Sequence, residues 1–117
     1  MYEIKFYRDY DGNSEVFEYI KKLKNLNNKE NKLKFNKIYL YIKMLEKYGL
    51  NLSEKYIKKI DKEIWELRPL RDRILFTKFD DNKIVLLSVF IKRTPKTPRK
   101  EKEKARRLIE NYKKRIK

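Results

Sequence analysis

The strongest constraint on this chain is one apolar run, Ile84 to Ile91 (IVLLSVFI), set in a sequence of which 43% is charged. The run is strand length, too short to span a bilayer. A strand with no polar face cannot lie half in water, so it must be central in a sheet and covered on both sides. The rest of the chain must therefore supply other strands and at least two covering layers.

The remaining periodicities supply them. Tyr2, Ile4 and Phe6 alternate with Glu3, Lys5 and Tyr7, predicting a strand over 2–8. Asp11-Gly12-Asn13 breaks it, and Ser14 is placed to cap a helix reaching about residue 25, with Val16, Tyr19, Ile20 and Leu23 on one face. A second helix follows from about Lys29 to Tyr48, with Phe35, Ile38, Ile42 and Leu45 aligned and Gly49 as its C-cap, so that the two form a helical hairpin. Residues 50–61 read as a loop with a short helical turn near Ser53–Tyr56. Strands are predicted at Glu63–Arg68, Arg73–Phe79 and Lys83–Arg93, the last two joined by Asp80-Asp81-Asn82 as a hairpin turn. Thr97-Pro98 reads as an N-cap with proline at the first helical position, opening a helix with Ala105, Leu108, Ile109, Tyr112 and Ile116 on one face. The expected architecture is α+β, in the order β-α-α-β-β-β-α, with one curved sheet packed by helices. Residues 1–117 are expected to form a single domain.

Residue usage excludes several chemistries. The chain has no cysteine and no histidine, which removes disulfides, thiolate sites and the commonest near-neutral acid/base and metal ligand. No cofactor and no metal are expected, and catalysis must run on Lys, Arg, Tyr, Ser/Thr or carboxylates. The opening residues turn polar within a few positions, unlike a signal peptide. No membrane association is expected, and the expected compartment is the cytoplasm.

The net charge is +16 and unevenly spread. Residues 1–60 carry 14 basic and 8 acidic groups, residues 61–91 balance at 6 and 6, and residues 92–117 carry 13 basic and 3 acidic groups. AT-rich coding would raise lysine, isoleucine, asparagine and tyrosine together. It would not gather Arg68, Arg71, Arg73, Arg93, Arg99, Arg106 and Arg107 into two stretches. A basic stripe concentrated on one segment is the footprint of a nucleic-acid partner.

Hairpin pairing places the region of Arg73 opposite Lys92, and a turn brings Arg68 to the same end of the sheet. Arg68, Arg71, Arg73, Lys92, Arg93 and Lys96 are therefore expected on one concave patch. Gathered like charges cost stability unless an anion lies among them. Arginine forks hold phosphate oxygens bidentately and stabilise the added negative charge of a cleaving phosphodiester. A cationic cluster can also lower a neighbouring lysine's pKa until it serves as a base. The same residues would equally suit a face that only grips phosphates. Trp65 is either a sheet-packing residue or a base-stacking platform, and Glu66 either a general base or the ion-pair partner of Arg68 or Arg73.

The segments Ile64-Trp65-Glu66-Leu67-Arg68-Pro69, Arg73-Ile74-Leu75-Phe76, Leu86-Leu87, Phe90-Ile91-Lys92-Arg93-Thr94-Pro95-Lys96-Thr97-Pro98 and Glu101–Ala105 resemble the RelE/HigB toxin superfamily, in the branch of HigB-type toxins related to phage-derived proteins. The likeness covers residues 62–112; the N-terminal third agrees in element order. It implies a RelE-like microbial RNase fold and a metal-independent, ribosome-dependent mRNA endoribonuclease, an mRNA interferase, as the toxin of a type II toxin-antitoxin system. In such enzymes the ribose 2′-hydroxyl attacks the adjacent phosphate, leaving a cyclic phosphate and a 5′-hydroxyl. The partners implied are mRNA, the ribosome and a co-encoded helix-turn-helix antitoxin of HigA type, with operator DNA reached only through that antitoxin.

Carried over by position, the resemblance places Arg73 as the phosphate-binding arginine, Arg68 as the basic strand residue and Lys92-Arg93 as the basic pair after the central strand. Arg68, Arg73, Arg93 and Lys96 are the catalytic candidates; Arg71, Lys92, Arg99, Lys100 and Trp65 are the RNA-binding ones. Residues 94–104 lack the tyrosine or histidine that many relatives place there. Lys96 or Arg93, or a tyrosine from elsewhere, must then move the proton. Two other functions fit the same residues: a non-catalytic basic RNA- or DNA-binding module, and an interaction protein kept for its antitoxin-binding surface.

Overall fold

The computed structural model describes residues 1–116; Lys117, the last cation of the basic segment, lies outside them. Five strands and three α-helices follow one another as β1 (Glu3–Phe6), α1 (Glu15–Asn25), α2 (Lys29–Tyr48), β2 (Ile57–Asp61), β3 (Ile64–Leu67), β4 (Asp72–Phe79), β5 (Lys83–Ile91) and α3 (Arg99–Arg115), with a 3-10 turn at Gly49–Asn51. One mixed sheet has the order β1-β5-β4-β3-β2, parallel between β1 and β5 and antiparallel elsewhere. Among the described residues no helix is long and apolar enough to cross a membrane.

The apolar run becomes β5, an interior strand between β1 and β4. Ile84 and Leu86 face α1 and α2, packed with Val16, Leu23, Ile38 and Leu45. Val85 and Leu87 face α3, packed with Ala105 and Ile109. Covering both faces is what a strand without a polar side requires. A bulge leaves Leu87 unpaired: Leu75 faces Ser88 while Phe76 faces Leu86.

The caps explain the helix limits. Ser14 Oγ accepts from the Phe17 N–H at 3.1 Å, as expected, and Asn28 Oδ1 accepts from the Asn31 N–H at 2.9 Å. Gly49 ends α2 at φ 58°, and a Cβ there would collide with the Tyr2 ring. Glycine is required on both counts.

Three local expectations differ from the structure, the simplest being that β5, expected to reach Arg93, ends at Ile91. Residues 57–61, expected as loop, form the edge strand β2 against β3, preceded by the expected turn in which the Tyr56 N–H donates to the Ser53 carbonyl at 2.9 Å. A register shift between Lys59 and Asp61 spoils the alternation that would have marked the strand. Lys58 and Lys59 also guard its open edge. At the other end, Pro98 occupies the N-cap of α3 and Arg99 is its first residue. Thr97 does not cap the helix; its hydroxyl is used elsewhere.

Candidate functional site

Strand alternation aims Ile64 and Glu66 of β3 at the α3 side of the sheet, and Trp65 and Leu67 at the helical hairpin. Register sets Glu66 opposite Leu75, two residues from Arg73, and Arg73 opposite Phe90. The covering helix α3 leaves this end of the sheet to the segment 92–98. A polar crevice results, lined by Glu66, Arg68, Arg73, Phe90, Lys92 and Lys96, with Thr94, Pro95 and Thr97 as its rim.

Glu66 is its hub. The Nε atoms of Arg68 and Arg73 lie 3.5 and 3.6 Å from Glu66 Oε1, and Thr97 Oγ1 donates to Oε2 at 2.6 Å. Glu66 and Arg73 are only 5% and 6% exposed, so each depends on the other for charge compensation. Arg73 Nη1 also donates to the carbonyls of Leu70 and Asp72 at 2.8 and 2.9 Å, which fixes the fork rigidly. Leu70 takes φ 56° to present its carbonyl in that tight turn. Arg68 Nη1 donates to the Glu54 carbonyl at 3.1 Å, while its buried Nε meets Glu66 as a charge contact without hydrogen-bond geometry.

The electrostatics follow from this arrangement. One carboxylate faces Arg68, Arg73, Lys92 and Lys96, leaving the crevice strongly positive. Burial pulls the Arg73 guanidinium down from its ordinary value; the charge of Glu66 opposes that shift, and those of Arg68 and Arg71 add to it. Arginine stays charged even so, and a poorly solvated guanidinium gains most from an incoming anion.

The expected cationic patch is therefore largely assembled. Arg68, Arg73, Lys92 and Lys96 share the crevice. Arg71 is committed to its edge: Arg71 Nη2 donates to the Lys92 carbonyl at 2.8 Å, and the Lys92 N–H donates to the Arg71 carbonyl at 2.8 Å. Arg93 and Lys100 open instead into a neighbouring cleft beyond Phe90 and Thr94. Arg99 is 92% exposed at its side chain and lies 3.8 Å from Glu103. Trp65 is on the opposite face of β3 from Glu66, stacked against Phe76 with ring centroids 6.3 Å apart.

Sequence reasoning missed Lys58, Lys59 and Lys102, which with Arg68 and Lys96 line a wider cleft of about 210 Å³ continuous with the crevice. Lys58 and Lys59 went unrecognised with their strand; the pair Ile57 and Ile60 flanking them was the only available signal. Thr97 was missed because a threonine before proline reads as a cap.

A curved mixed sheet with a helical hairpin on one face, a C-terminal helix on the other and a cationic crevice at its end is compatible with the RelE-like fold, a class of small α+β toxins. Residues 20–110 match the family described as phage derived protein Gp49-like (DUF891). The chain belongs to that family, which is a family of RelE/ParE-type toxins of toxin-antitoxin systems. No curated protein matches the chain.

Proposed function

We propose that the chain is the HigB-like toxin of a type II system, a metal-independent endoribonuclease that cuts mRNA on the ribosome and so inhibits translation. The observation that carries the reading is the crevice itself: Arg68, Arg73, Lys92 and Lys96 gathered around the buried Glu66. Like charges held this close are stabilised by an anion, and phosphodiester oxygens are the acceptors that guanidinium and ammonium groups bind best. During cleavage a bond forms between the 2′ oxygen and phosphorus while the bond to the 5′ oxygen breaks. Arg73 stabilises the charge that builds on the phosphate. Lys96 protonates the departing 5′ oxygen, and the 2′-hydroxyl proton leaves to solvent. Both oxygens of Glu66 are occupied, by Arg68 and Arg73 on one side and Thr97 on the other, which makes Glu66 a positioning residue. In the cytoplasm the toxin is held by a co-encoded helix-turn-helix antitoxin of HigA type, which alone contacts operator DNA.

A non-catalytic RNA- or DNA-binding module has one observation in its favour. Arg73 Nη1 is already bonded to two backbone carbonyls, as in a residue that serves structure. Single-turnover incubation with programmed ribosomes separates the two. The toxin reading expects mRNA cut to a 2′,3′-cyclic phosphate (or its hydrolysis product) and a 5′-hydroxyl. Intact mRNA, or products with a 5′-phosphate and a 3′-hydroxyl, contradicts it.

A further inference from the structure

Beside the crevice, sharing Phe90 and Thr94 with it, lies a separate cleft of about 500 Å³ between α1, the end of β5 and the start of α3. Its volume falls within the roughly 300–1,000 Å³ of small-ligand sites. Its walls divide by chemistry. Tyr19, Val89, Phe90 and Ile91 supply an aromatic and aliphatic lining, while Arg93 and Lys100 supply positive charge in excess of the one carboxylate there, Glu101.

The aromatic wall is held rather than loose. The Tyr19 hydroxyl donates to Asp72 Oδ1 at 2.6 Å, and Lys34 Nζ lies 3.4 Å from the same oxygen. Asp72 is 1% exposed, so this anchor is out of solvent. Burial, then Asp72, raises the Tyr19 pKa. The end of β5 that carries Val89 is braced by Glu15, which accepts from the Val89 N–H at 2.9 Å and pairs with Lys104 of α3. A pre-set apolar slot with cations at its side matches a nucleotide, in which a flat ring sits beside a charged phosphate. A free phosphate would leave the apolar lining unused, and an apolar ligand would leave Arg93 and Lys100 unused.

We propose that this cleft seats one base of single-stranded RNA, with Tyr19, Val89 and Ile91 against the ring and Arg93 and Lys100 on the flanking phosphate, next to the phosphate held by Arg68 and Arg73. The inference rests on the RNA reading of the crevice and adds to it a base-sized subsite one step along the strand. It also gives Arg93 and Lys100 a role outside the crevice.

The test uses RNA dinucleotides with 2′-O-methyl groups, which cannot be cut, so its outcome is independent of catalysis. The intact dinucleotide and the two forms lacking one base are titrated into the parent chain and followed by backbone amide shifts. One of the abasic forms is expected to bind roughly tenfold more weakly than the intact form, the size expected for a lost base–aromatic contact. The amides of Val89, Ile91 and Lys100 should move with the intact form and stay still with that abasic one. Tyr19→Ala should bind intact and abasic forms alike, and Tyr19→Phe, which keeps the ring, should retain the difference. If both abasic forms bind the parent as tightly as the intact one, or if the cleft amides stay still, the seat does not exist. The parent titration decides this even if Tyr19→Ala fails to fold. A persistent base dependence in a chain that does not cleave would leave the seat standing and overturn only the nuclease reading.

Discussion

Asp72 and Glu66 are both buried carboxylates near one end of the same sheet, yet they face opposite sides and live in different company. Asp72 faces the helical hairpin, 1% exposed, bonded to the Tyr19 hydroxyl and paired with Lys34. Glu66 faces the α3 side, 5% exposed, among Arg68, Arg73, Lys92 and Lys96. The first site is close to neutral and ties α1 and α2 to β4. The second carries positive charge in excess of what its carboxylate can balance. Neutral and sealed is what structure needs; unbalanced and open to a cleft is what an anion-binding site needs. Because Asp72 and Arg73 are consecutive on β4, alternation alone separates the two environments.

That contrast can be broken in order of expected effect. Asp72→Asn should cost about 1–2 kcal/mol of stability by removing the carboxylate that pairs with the partly exposed Lys34, read as a shifted denaturation midpoint. Asparagine can still accept from the Tyr19 hydroxyl, so RNA affinity of the folded fraction should stay at the parent's level; a large loss of affinity with unchanged stability would erase the distinction between the two sites. A smaller effect concerns alkaline stability. The Tyr19 pKa is raised, by burial first and then by Asp72. Burial lowers that of Lys34, but Tyr19 and Asp72 more than reverse this, and the net shift is upward. Both groups hold their protons more tightly folded than unfolded. Their contribution is therefore complete below the ordinary values of 10.0 and 10.5 and is lost as pH rises through the raised ones. Tyr19→Phe should flatten that alkaline fall, and an equally steep fall in the variant would contradict the network. Smallest of all, Lys113→Ala, whose ammonium lies 3.1 Å from Glu63 on the far part of α3, should lower the salt dependence of RNA binding by at most one phosphate contact. A larger change in the log–log salt slope would move the interface away from the crevice.

How far the sequence reveals this site depends on what sets each side chain's direction. β5 was legible because a run with no polar face has one stable place, and hairpin pairing across Asp80–Asn82 then brought Arg73 to its far end. Arg68 followed from the short connection between β3 and β4. Arg93 was not placed correctly by the same reasoning, since β5 ends at Ile91 and strand alternation no longer governs a residue two positions beyond. Trp65 and Glu66 are neighbours on a strand and so must face opposite sides; that constraint was available and separates Trp65 from the crevice. β2 was illegible because its bulge breaks the period and its lysines imitate a solvated loop. The Tyr19–Asp72 contact joins residues 53 positions apart, and no local pattern announces such a pair.

On the proposed function, Arg73, fixed by Leu70, Asp72 and Glu66, meets the reacting phosphate. The most direct test is single-turnover cleavage of mRNA on programmed ribosomes by Arg73→Ala and Arg73→Lys, with rates referred to folded protein. Arg73→Ala should lose on the order of a hundredfold or more in rate with far less loss of RNA affinity. Arg73→Lys should recover little, since lysine keeps the charge without the fork. An Arg73→Ala chain that folds and cuts as fast as the parent would contradict it.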